Sequence, residues 1–177
     1  MALISEKTAH EETLVTVAKL MIAAARTAPK GKGISSLSSL IITGNDLESL
    51  VAHTKKIGEM FGLPGFIRDS ENISKTTVAV AFGCKIEPIG LKRCGMCGFS
   101  NCEEKRNYPG VPCVFNSGDL GIAMGSALSI AADNRIDNRV MYSAGQAIMD
   151  LGWMGEDIKI AYVVPLSISS KSIFFDR

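Results

Sequence analysis

The stretch Cys94 to Cys113, CGMCGFSNCEEKRNYPGVPC, holds four of the chain's five cysteines within twenty residues. A segment this rich in thiols and this poor in apolar periodicity serves neither as a core strand nor as a core helix. The remaining sequence must therefore complete a fold around it. Four clustered sulfurs have three ordinary uses: metal, disulfide or reactive thiol.

The compartment decides among these. MALISEKTAHEE is acidic and polar where a signal peptide needs a basic start and an apolar middle. The longest apolar run, Leu20 to Ala25, falls far short of the ~18 residues of a membrane span. A cytoplasmic protein without a membrane segment is expected. Thiols stay reduced in the cytosol, and five cysteines cannot all pair, so disulfides recede. A net charge of +1, with 46% hydrophobic and 21% charged residues, is ordinary globular usage. Lys30 with Lys32 and Lys55 with Lys56 read as solvated surface, so no nucleic acid is expected.

The 177 residues suit one domain. From Thr8 to Arg26, apolar side chains at Leu14, Val17, Ala18, Met21, Ile22 and Ala25 follow helical spacing. Pro29 and two glycines end that helix in a basic loop. SSLIITG reads as a buried strand, and a helix from about Asp46 to Phe61 follows, with Asn45 as N-cap and Glu48 at capping-box distance. Its expected core face is Leu47, Leu50, Val51, Ile57, Met60 and Phe61, with Gly62 as the stop. TTVAVAFGC is the best strand in the chain. After the cysteine segment, residues 84–116, Ser117 is expected to cap a small-sided helix with Asp119 in its first turn. A short helix over Ser143 to Leu151 and the strand IKIAYVVPL close the chain. The order gives an α+β domain with helices layered on a mixed β-sheet and an inserted cysteine loop.

The spacing Cys94-x2-Cys97-x4-Cys102-x10-Cys113 suits four soft sulfur donors, the ligand set of a [4Fe-4S] cluster or of a structural zinc. Zinc ribbons usually supply two C-x2-C knuckles, and the second is missing. Three close cysteines and a fourth farther off is an iron-sulfur habit. Gly95 and Gly98 each follow a cysteine and leave room for amides to turn towards sulfide. A metal-free redox dithiol lacks its usual strand-to-helix setting here, and zinc stays open as the alternative metal. Cys84 reads as a small buried hydrophobe, and His10 and His53 as surface or core residues. Glu103 and Glu104 read as a solvated pair.

CGMCGFSNC closely resembles the CGxCGxxxC core of the four-cysteine iron-sulfur domain found in the B subunit of the membrane ion-pumping ferredoxin oxidoreductase complex and in corrinoid iron-sulfur proteins. All three close cysteines and both glycines match, while Cys113 lies closer to Cys102 than the fourth ligand does in those relatives.

AAARTAPKGKGISSLSSLIITGNDLESLV, GDLGIAMGSALSIAADN and IKIAYVVPLSIS resemble successive parts of the nitroreductase superfamily. That resemblance implies a homodimer with flavin mononucleotide (FMN) bound between subunits. Two departures weigh against flavin: no arginine-rich segment precedes Thr8, and Lys30 replaces the serine of the family's APS loop. Lys30, Gly31, Lys32 and Gly33 could still cradle a phosphate with amides and ammonium groups. The joined parts also resemble an uncharacterised prokaryotic family of ferredoxin-domain proteins, which implies redox metabolism.

The expectation is an iron-sulfur redox protein. Cys94, Cys97, Cys102 and Cys113 hold one [4Fe-4S] cluster on a nitroreductase-like scaffold, exchanging electrons with a donor or acceptor protein. The alternatives are a flavin-dependent oxidoreductase fed by the cluster and a non-enzymatic module stapled by zinc. No acid, base or nucleophile stands out elsewhere.

Overall fold

The computed structural model describes residues 3–175, so the parts of the N-terminal reading and of the one-domain expectation that fall on Met1, Ala2, Asp176 and Arg177 lie outside it. The first helix, α1 (Glu6–Thr27), begins at Ser5, whose hydroxyl accepts from the Thr8 amide at 3.1 Å. It buries Leu14, Val17, Ala18, Met21 and Ala25, the stripe its sequence prescribes. A single 3-10 turn at Gly31–Gly33 leads into strand β1 (Leu37–Thr43).

Helix α2 (Gly44–Phe61) ends at Gly62 in the left-handed conformation, as expected, but opens differently. Thr43 occupies the N-cap without a side-chain hydrogen bond, and Asn45 lies inside the first turn. Its buried face is Leu47, Leu50, Thr54 and Gly58, whereas Met60 and Phe61 are about two-thirds exposed. The reason is α3 (Pro64–Ile73), a helix the apolar pattern did not announce, which crosses α2 at Gly58. A Cβ there would stand 2.9 Å from Ile67 Cγ1 and 3.0 Å from Phe66 Cβ. Pro64 in the first turn of α3 was the local signal for it.

Strand β2 (Val78–Cys84) is buried at every position. The chain continues through α4 (Cys102–Arg106), α5 (Val114–Asp133), the two-residue β3 (Asp137–Asn138), α6 (Tyr142–Asp150) and β4 (Ile160–Ser167). The sheet order is β1-β2-β4-β3 and every pairing is antiparallel, where the sequence reading expected a mixed sheet. Two helices, α2 and α3, lie between β1 and β2, and a second helix reverses the return that one crossover helix would make.

The sheet is covered on both faces. Val78, Val80, Phe82 and Cys84 pack with α1 and α5, while Ala79 and Ala81 pack with α2 and α6. This period-two division explains why β2 reads as an unbroken apolar run. Helix α6 sits so close to β4 that a Cβ on Gly145 would overlap the Ala161 carbonyl oxygen. The result is an α+β domain of three layers.

Candidate functional site

The cysteine segment leaves the sheet at the Cys84 end of β2, where Leu37 of β1 is the register partner. Its start is tied down by the Lys85 amide donating to Ser36 O at 3.0 Å, and by the Lys85 ammonium on Asp157 Oδ2 at 2.8 Å. That contact raises the Lys85 pKa and lowers that of Asp157. Residues 85–101 form neither helix nor strand. A turn closes where the Gly98 amide donates to Gly95 O at 3.0 Å, with Gly98 at φ 88°, a conformation that favours glycine.

Helix α4 then begins at Cys102. The Asn101 side chain accepts from the Glu103 and Glu104 amides, and Glu104 Oε2 accepts from the Ser100 amide at 2.7 Å. Hydrogen bonds from Ser100 hold the Glu104 carboxyl below the usual range. Glu104 is therefore a capping group, and of the two expected solvated glutamates only Glu103 lacks such a role. Phe99 stacks on Tyr108 with ring centres 5.1 Å apart, which joins the two flanks of α4.

All five cysteines are free thiols. Cys94, Cys97 and Cys102 are half-buried, and Cys113 is buried at the N-cap position of α5. That helix begins at Val114, three residues before the Ser117 cap expected from sequence, and Ser117 donates to Val114 O instead. Among the described residues no three His, Cys, Asp or Glu side chains are gathered as a metal-binding group. The polypeptide thus supplies four soft donors along one irregular segment without assembling them. The donor chemistry fits a thiolate-ligated cluster or zinc, whose binding commonly organises its own loop. Cys84 is fully buried, and burial, with the Asp119 charge, pushes its thiol up to about 11. It behaves as the inert hydrophobe its sequence position suggests.

The Lys30–Gly33 loop is built inward. The Lys30 ammonium donates to Ala28 O at 2.7 Å, Ala25 O at 2.9 Å and Arg26 O at 3.0 Å, closing the last turn of α1. Its pKa is lowered by burial and by Arg26. The Gly31 amide donates to Asp119 Oδ2 at 3.0 Å, and a Cβ at Gly31 would overlap Ile89 of the cysteine segment. Lys32 lies 3.5 and 3.4 Å from the carbonyl oxygens of Ile89 and Gly90. Gly31 and Lys32 link the cysteine segment to α5 and to this loop, and all four residues expected to cradle a phosphate, Lys30, Gly31, Lys32 and Gly33, have internal partners, the Gly33 amide donating to Lys30 O.

Asp119, expected in the first turn of α5, sits beyond it and is instead the acceptor that holds Gly31. Two residues near the segment escaped the sequence reading. Asn116 buries an Oδ1 without a hydrogen-bond partner. Lys105 is 1% exposed, with its ammonium on Ile86 O at 3.1 Å. Only its i+3 spacing from Cys102 hints that its side chain follows the cysteine inward. The histidines have other settings: His10 Nε2 is 3.7 Å from Glu6 on α1, and His53 Nε2 is 3.5 Å from Asp150 of α6. A mostly apolar cavity of about 570 Å³ lies at the opposite end of β2, by Val78 and Thr43, and holds none of the expected site residues. No helix among the described residues is long and apolar enough to cross a membrane.

Two solved structures share this architecture, and one relative and one family model share its sequence. A nitroreductase from Lactococcus lactis in complex with nicotinic acid superposes with a TM-score of 0.61 at 13% identity, over 98% of this chain and 86% of that one. An FMN and NADPH-dependent nitroreductase from a Sphingopyxis strain gives 0.61 at 8% identity, over 88% and 79%. Identities this low establish a nitroreductase-like fold and nothing further. The family model described as an uncharacterized protein containing a ferredoxin domain matches residues 109–177, which include Cys113 but not Cys94, Cys97 or Cys102. An uncharacterized protein of Archaeoglobus fulgidus is 36% identical over 99% of this chain and 97% of its own length. With that identity along nearly the whole of both chains, the chain belongs to one family with this archaeal protein, and its C-terminal part matches the model of uncharacterized proteins containing a ferredoxin domain.

Proposed function

We propose that this protein is an iron-sulfur redox protein that binds one [4Fe-4S] cluster through Cys94, Cys97, Cys102 and Cys113 and transfers electrons on its nitroreductase-like scaffold. The observation that carries this reading is four free thiols in one irregular segment set at the end of a complete three-layer domain. When bound, such a cluster supplies one-electron transfer at a potential tuned by hydrogen bonding, net charge and burial. The chain's part is to present the thiolates, hold the Gly95–Gly98 turn and anchor Cys113 at the start of α5. The family's ferredoxin description and the fold's redox relatives support the same direction.

A cytoplasmic homodimer working with an electron-carrier protein belongs to the same proposal. The outward side of α5, where Gly118, Gly121 and Gly125 meet open space beside the half-exposed Ile122, supports pairing of two copies. Anaerobic reconstitution of the full chain with iron and sulfide should give broad absorption in the visible blue and roughly four irons per chain. A colourless protein holding one zinc overturns the reading in favour of a stapled, non-enzymatic module.

A flavin-dependent oxidoreductase fed by the cluster is the second reading, favoured by the fold shared with an FMN and NADPH-dependent nitroreductase. The internal bonds of Lys30 and Gly31 leave fewer donors for a flavin phosphate in that loop. A yellow cofactor released on denaturation after flavin-replete expression supports it, and a flavin-free protein removes it.

A further inference from the structure

The cysteine segment contains a buried cation. Lys105 is 1% exposed, and its ammonium has one hydrogen bond, to Ile86 O at 3.1 Å. No carboxylate pairs with it among the described residues. An ammonium in a dry setting with one neutral acceptor is costly, because a lone carbonyl dipole does not replace the hydration of a full charge. Buried lysines are normally found with an anion.

Helix α4 points to where that anion belongs. Cys102 and Lys105 stand three residues apart on one face of the helix, and this face turns inward, with Cys102 half-buried and Lys105 buried. Glu103, Glu104 and Arg106 are exposed. The cap formed by Asn101 and Glu104 fixes the start of α4, the turn that carries Cys102 and Lys105.

We propose that Lys105 is the buried counter-charge of the thiolate-bound cluster and a positioning residue that sets its reduction potential; this rests on the cluster reading above. Four thiolates with their cluster carry net negative charge, and each electron accepted from a reductant adds one more negative charge to the site. A fixed ammonium in a low-dielectric setting favours the more negative state, so it raises the potential. The bond to Ile86 O aims the ammonium, since Ile86 follows directly on the strand exit at Cys84 and Lys85.

The test is a redox titration followed by electron paramagnetic resonance on the anaerobically reconstituted full chain. It compares wild type with Lys105→Gln, Lys105→Met and Lys105→Arg, with iron content measured for each. The expected result is a more negative midpoint potential in the two neutral variants and a potential restored towards wild type in Lys105→Arg. Equal potentials in wild type and an iron-loaded neutral variant overturn the proposal, because a merely structural lysine does not move the potential. If neither neutral variant loads iron, iron content decides. Loading by Lys105→Arg then supports a required cation, and failure of all three variants overturns the role of charge. A wild-type chain that takes up no iron overturns the cluster reading itself, a result distinguishable from every variant outcome.

Discussion

Strand β2 and the segment that leaves it are joined by one peptide bond and held by opposite physics. From Val78 to Cys84 every residue is buried, alternate side chains enter two apolar cores, and both edges pair with neighbouring strands. From residue 85 to Cys113 the fixed points are mostly single polar contacts: Lys85 on Asp157, Glu104 on Ser100, Lys105 on Ile86 O, and one aromatic stack. Apolar burial is additive over area and needs no ligand, whereas isolated exposed hydrogen bonds contribute little each. The scaffold is therefore expected to fold without any bound group, and the cysteine segment to gain its order from one.

The strongest way to break that contrast is in the core. Phe82→Ala, at a side chain 1% exposed, should cost about 3 to 5 kcal/mol in urea unfolding monitored by circular dichroism. A smaller loss would mean that the sheet is not the foundation of the domain. Next is Ser143, which donates to Oδ2 of the buried Asp69 at 2.6 Å, while Arg68 holds Oδ1 at 2.7 Å. Ser143→Ala leaves one carboxylate oxygen without that donor, and a loss of about 1 to 3 kcal/mol is expected by the same measurement.

The third prediction concerns the segment directly. Cys97→Ser in the metal-free protein should change global stability by less than about 0.5 kcal/mol, since the residue is half-buried in irregular chain. The same substitution should cut iron uptake sharply in the reconstituted protein. Global unfolding by Cys97→Ser would erase the distinction between the two regions.

The smallest effect expected is local and pH-dependent. Glu104 has a folded pKa lowered by its bonds from Ser100, so its contribution is present above the unfolded glutamate value and fades as pH falls through the folded value. Acidification through that window should cost the Ser100 amide its protection from hydrogen exchange while β2 amides keep theirs. Glu104→Gln should show the loss already at neutral pH, and an unchanged Ser100 amide would remove Glu104 from the cap.

Much of this was legible because the signals are local. The stripe of α1, the β-branched run of β2 and the Gly62 stop depend on residues within a few positions of one another. The missed elements depend on distant partners. Met60 and Phe61 match the helical period of α2, yet they are exposed because α3 takes the face beside Gly58. Val114 begins α5 before the Ser117 that resembles a cap.

The residues alone set the clustered thiols from which the proposed site is drawn, since thiol chemistry and the Cys94 to Cys113 spacing are independent of folding, and their periodicities gave the α+β class. Only the tertiary structure decided the antiparallel pairing, the inward turn of Lys30, the bond between Gly31 and Asp119 and the burial of Lys105. The Gly31 contact spans 88 positions, and no local propensity encodes which of several carboxylates an amide will meet. A lysine three residues after a cysteine is an ordinary surface pattern until the packing of the chain encloses it.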